Sequence, residues 1–144
     1  MQAASFEEVL KQILAKDPRY PLNAYLFIRE ALDHTQKIIG KQAKAGLRHV
    51  TGQELLAGIR ELALEQFGPM AMTVFEEWGI HSCRDFGEIV FNLVDHRVLA
   101  RTEQDSRADF QNGYDFYEAF RKPFLPRNKV QSSGELPEPK ATEA

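Results

Sequence analysis

One cysteine, Cys83, in 144 residues leaves no disulfide to form within the chain and no paired thiols for a zinc site. A fold without such staples needs a core of its own, and this length is sufficient for one domain. A reducing compartment is the natural setting. Long apolar runs are also missing: none approaches the roughly 18 residues that span a bilayer. The start, MQAASFEEVLKQIL, lacks the basic n-region and continuous apolar h-region of a secretory signal. The expected location is therefore cytoplasmic. Glycine-rich phosphate loops and a Gly-x-Ser-x-Gly nucleophile elbow are absent, which removes the commonest sequence signals for nucleotide binding and serine hydrolysis.

What is present is helical periodicity with clear punctuation. Ser5 with Glu8 reads as a capping box, and Phe6, Val9, Leu10, Ile13 and Leu14 follow as one apolar stripe that Asp17-Pro18 ends. A second helix is expected from Pro21 to Ile39, stopped by Gly40, with Tyr25, Leu26, Ile28, Leu32 and Ile39 as its apolar face. Residues 42–49 read as a basic connector. Thr51-Gly52-Gln53-Glu54 is the strongest local signal: a capping box flanked by a Val50 to Leu55 hydrophobic staple. Its helix should bury Leu55, Leu56, Ile59, Leu62, Ala63 and Phe67 and end at Gly68-Pro69. A short fourth helix, Pro69 to Trp78, stops at Gly79. Ser82 and Asp85 cap a fifth, which buries Phe86, Ile89, Val90, Leu93 and Val94 and ends near His96.

Beyond His96 the period changes to two. Leu99, Arg101 and Glu103 suggest a strand, Gln104 to Arg107 a turn, and Phe110, Asn112, Tyr114 and Phe116 a returning strand. Two other readings compete: Ser106 with Asp109 as the cap of one helical turn, and Asn112-Gly113 as a type I′ turn. Alternation of the aromatics favours the hairpin at 104–107. The expected architecture is thus mainly α with a small C-terminal β-hairpin, five helices in a winged-helix-like helix-helix-helix-hairpin order. Residues 1–126 form one domain, in which Phe120, Phe124 and Leu125 pack back. Residues 127–144, polar and proline-containing, form a disordered tail.

Charge argues against a DNA reader. The net charge of −3 conceals segregation: Lys37, Lys41, Lys44 and Arg48 stand without an acid in residues 36–50, whereas residues 82–118 hold eight acids against four arginines. The fifth helix exposes Arg84, Asp85, Glu88, Asn92 and Asp95 on this reading, and the loop adds Glu103 and Asp105. Phosphate would be repelled by that surface. Lys37, Lys41, Lys44 and Arg48 are the candidate nucleic-acid contacts of an alternative, ribosome- or nucleic-acid-associated role, although lysines on a helix end more commonly form a solvated face.

Chemistry-bearing residues are sparse. Asp85-Phe86-Gly87 spells the kinase metal-binding tripeptide, but here it lies in a capped amphipathic helix without the accompanying motifs, so cap, core and close packing are the simpler roles. His81 and Cys83 lie close to Glu77, yet Gly79 breaks the helix that would align them. Cys83 near a helix start is the residue to probe for thiol reactivity. His34, His49 and His96 stand alone, and Asp105, Asp109 and Asp115 read as solvated acids. No catalytic residue, metal or cofactor is expected. Tyr114, Phe116, Tyr117 and Phe120 are denser than one hairpin needs. Together with Glu103 and Asp105, Tyr114, Phe116 and Tyr117 form the candidate protein-binding surface.

Five segments carry a family resemblance: His49-Val50-Thr51-Gly52-Gln53-Glu54-Leu55-Leu56, Glu65-Gln66-Phe67-Gly68-Pro69-Met70-Ala71, Trp78-Gly79-Ile80, the run from Asp85 to Val94, and Gly113-Tyr114-Asp115-Phe116. In these the chain resembles a small family of uncharacterised bacterial proteins, the Minf-type family, from about Tyr20 to Phe120. The resemblance implies a stand-alone bacterial cytoplasmic domain and brings no activity, cofactor or catalytic residue. The expected function is a non-catalytic protein-interaction or adaptor module, with a protein partner or a second copy of the chain as its target.

Overall fold

A computed structural model describes residues 6–43, 49–100 and 105–126, with the backbone alone for 41–43. Five α-helices make up its frame: α1 (Phe6–Lys16), α2 (Leu22–Ala43), α3 (Gly52–Phe67), α4 (Ala71–Glu77) and α5 (Cys83–Asp95). Short turns complete it: 3-10 turns at Gly68–Met70, Arg107–Phe110 and Lys122–Phe124, and a π-helical turn at Tyr117–Arg121. Among the described residues the fold is all-α.

The strongest sequence signal is realised. Thr51 Oγ1 accepts from the Glu54 N–H at 3.1 Å while Glu54 Oε1 accepts from the Thr51 N–H at 3.0 Å, so two orphan donors at the start of α3 are satisfied reciprocally. The end of α4 is a Schellman closure: Gly79 takes φ +76, Ile80 N–H donates to Phe75 O at 2.8 Å and Gly79 N–H to Glu76 O at 3.0 Å. The end of α5 repeats the pattern without a glycine. Arg97 sits at φ +62, with Val98 N–H donating to Leu93 O at 2.9 Å and Arg97 N–H to Val94 O at 2.9 Å.

Two helix expectations need correction. Gly40 does not end α2, which runs to Ala43; its φ is not positive, and Ile39 is still buried one residue earlier. A glycine inside a helix costs only about 1 kcal/mol and stops it only when the chain turns left-handed there. The face of α2 departs from the expected one at Leu26, which is exposed; Tyr25, Ile28 and Ile39 are buried and Leu32 packs on the core as expected, and Ala24, Phe27 and Ala31 complete the buried face. The cap at Ser5 lies outside the described residues.

Aromatic side chains from four elements meet in the core. The Phe75 ring lies 5.7 Å from Phe27, 5.2 Å from Phe86, 5.8 Å from Phe116 and 5.1 Å from Phe120, centroid to centroid, mostly edge-on. Such pairs contribute about 0.5–1.5 kcal/mol each beyond area burial. They draw the C-terminal turns onto α4 and α5. Gly58 lets α3 approach α2, since a Cβ there would stand 1.8 Å from Thr35 Oγ1. Buried Thr35 satisfies its hydroxyl by donating to Ala31 O at 2.7 Å.

The expected hairpin is the largest departure. Arg101 and Glu103 of the first strand and Gln104 of the tip lie outside the described residues; of the rest of the tip, Asp105 and Ser106 are irregular and Arg107 opens a 3-10 turn. The returning strand at 110–116 is not formed: residues 107–110 make a 3-10 turn, and Asp109 Oδ2 accepts from the Ser106 N–H at 3.0 Å, which is the competing cap reading. Phe110, Tyr114 and Phe116 do turn inward, but from an irregular wrap rather than a pleat. Phe110 wedges against α3 and α5, the Tyr114 hydroxyl donates to Leu56 O at 2.8 Å, and Phe116 stacks near Phe86 and Phe120. Gly113 lies so close to Cys83 that a Cβ would meet its Sγ at 2.5 Å, so the chain there packs on α5 instead of pairing as a turn between strands. The expected disordered tail lies outside the described residues. No helix among the described residues is long and apolar enough to cross a membrane.

Candidate functional site

The polar side of α5, expected to face solvent, does so only in part: Asp85, Glu88 and Asn92 are half-buried and engaged with other segments. Glu88 Oε1 accepts from Arg19 Nη2 at 3.1 Å and pairs with Arg107 Nη1 at 3.0 Å, so one carboxylate joins the α1–α2 connection to the 107–110 turn. Asn92 Nδ2 donates to Asp17 Oδ2 and to the Tyr25 hydroxyl, each at 2.9 Å. Tyr20 donates to Asp85 Oδ1 at 2.6 Å. The other Asp85 oxygen accepts from the His81 and Ser82 N–H groups at 2.8 and 3.3 Å. Asp85, Glu88 and Asn92 therefore hold neighbouring segments together; Arg84 and Asp95 remain exposed.

Titration follows this geometry. The Arg19 guanidinium, donating to both Asp17 oxygens at 2.8 and 2.7 Å, holds the Asp17 carboxyl well below the usual carboxylate range against the opposing effect of burial. Burial, reinforced by the bond to Asp85, raises the Tyr20 phenol. Burial also raises Tyr114. Cys83 follows the same logic: although it opens α5, burial pushes its thiol up to about 11, outweighing the Sγ contact with Tyr114 O at 3.5 Å. The tripeptide Asp85-Phe86-Gly87 resolves into a cap, a fully buried ring and a glycine that admits Phe110.

An open cavity of about 250 Å³ remains, between α2, α3, α5 and the segments at 98–100 and 105–110. Its wall is mainly apolar, built by Leu32, Leu55, Val90, Phe91, Val94 and Val98 together with Phe110. Val50 and Leu55, the expected staple pair, both face it. His49 Nε2 and Asp105 Oδ2 stand 2.6 Å apart on its lining, joining the approach to α3 to the segment before the 107–110 turn. Two further polar residues of the lining are committed to structure: Thr51 caps α3, and Asp109 caps the turn while its carbonyl accepts from Gln53 Nε2 at 2.6 Å. An apolar wall with a few fixed polar groups suits the capture of a large apolar group.

The sequence-derived candidates are scattered relative to this cavity. Phe116 is buried, Tyr114 is half-buried with its hydroxyl bonded, and Tyr117 alone of the three is exposed. Asp105 is on the cavity lining, paired with His49. Lys37 is exposed on α2, and Lys41 continues the same helix; Lys44 and Arg48 lie outside the described residues. The histidines read as isolated have partners: His34 Nε2 on α2 lies 2.7 Å from Glu61 Oε1 on α3, and His96 Nδ1 lies 3.0 Å from Asn92 O one turn back at the end of α5. The pairing of His49 with Asp105 spans 56 positions, so no local spacing announces it. Among the described residues no group of three or more His, Cys, Asp or Glu side chains is placed to hold a metal ion. Compared with family models, with characterised proteins and with solved structures, the chain matches none.

Proposed function

We propose that the protein is a non-catalytic protein-interaction or adaptor module that receives a large apolar side chain of a protein partner, or of a second copy of the chain, in the cavity between α2, α3 and α5. One observation carries this reading: a solvent-open apolar cavity persists while Thr51 and Asp109 at its lining are spent on holding helix and turn starts. Such concave apolar sites bind by burying anchor side chains at about 25 cal/mol per Å² of apolar surface, less the cost of ordering the partner. The family resemblance adds no activity to it.

The reading is tested by a photo-crosslinker placed at Gln36, on the cavity lining, in the wild-type chain and in a Val94→Phe variant that fills the space. A protein or second copy crosslinked in the first and absent from the second, with thermal stability retained, is the expected result. Undiminished crosslinking in the filled variant, or a chain that stays monomeric and crosslinks to nothing, would overturn it.

A further inference from the structure

We draw no further inference here: the strongest candidate outside the cavity already described, the exposed apolar side chains Tyr117, Phe124 and Leu125 on the C-terminal turns, is an unpartnered face, and nothing in the structure shows what covers it.

Discussion

Phe110 lies so close to Gly87 that a Cβ added to the glycine would stand 2.8 Å from the Phe110 Cβ. The contact is with the root of the side chain, which a rotamer change cannot move away. On an exposed helix, glycine to alanine gains about 1 kcal/mol of helix propensity. Here Gly87→Ala is expected to lower stability by about 1–3 kcal/mol, because the 107–110 turn must shift off α5. Urea unfolding measures this, and an unchanged or raised midpoint would show that the turn is not wedged there.

How much of this was readable in advance depended on the range of the interaction. The Thr51 and Glu54 box, the glycine at 79 and the stripe of α5 are local patterns, each set by residues within one or two turns, and the structure reproduces them. The strand expected at 110–116 is an irregular wrap instead, because alternating aromatics also arise when an irregular chain lays every second ring into a core. Its decisive contacts are Phe110 with Gly52 and Gly87, and Gly113 with Cys83, at separations that periodicity does not register. On the polar face of α5 the expected exposure holds for Arg84 and Asp95 but not for Glu88, for the same reason: Arg19 reaches Glu88 across 69 positions. The candidate site was only partly legible, since its apolar wall comes from predicted helix faces but its cavity is a space left between them.

Cys83 should behave as a buried thiol despite its place at a helix start. With its value raised to about 11, thiolate at neutral pH is roughly two to three orders of magnitude scarcer than for a free cysteine. Labelling with a maleimide at neutral pH is expected to be slow in the folded protein and fast in urea. Equal rates in the two conditions would mean that the Gly113–Tyr114 segment does not cover it.

The Asp17 carboxyl has a folded-state value lowered from 3.8, chiefly by the Arg19 side chain. A lowered carboxyl stabilises the folded state above its unfolded value, and this contribution is lost as the pH falls below 3.8 toward the folded value. Arg19 is 53 % exposed, so solvent screening limits the effect. Asp17→Asn is expected to cost up to about 1 kcal/mol near neutral pH, with the gap to wild type narrowing toward about pH 2. Urea midpoints across that range provide the check; a constant gap would assign the loss to packing rather than charge.

Arg97 occupies the left-handed position that closes α5, at φ +62, while Gly79 fills the equivalent position after α4 at φ +76. The two closures share their hydrogen-bond pattern, from Val98 to Leu93 and from Ile80 to Phe75, so they differ mainly in the residue asked to adopt positive φ. A non-glycine residue there carries roughly 1 kcal/mol of strain, partly offset by the greater unfolded-state entropy of glycine. Arg97→Gly is therefore expected to stabilise the protein by about 0.5 kcal/mol, and Gly79→Ala to destabilise it by about 1 kcal/mol or more. Gly79 also faces Arg19 O, which a Cβ would approach to 3.1 Å, so its substitution meets a steric cost as well as strain. Thermal unfolding of both variants separates the terms: if Arg97→Gly lost stability, the arginine side chain would be contributing more than its backbone costs.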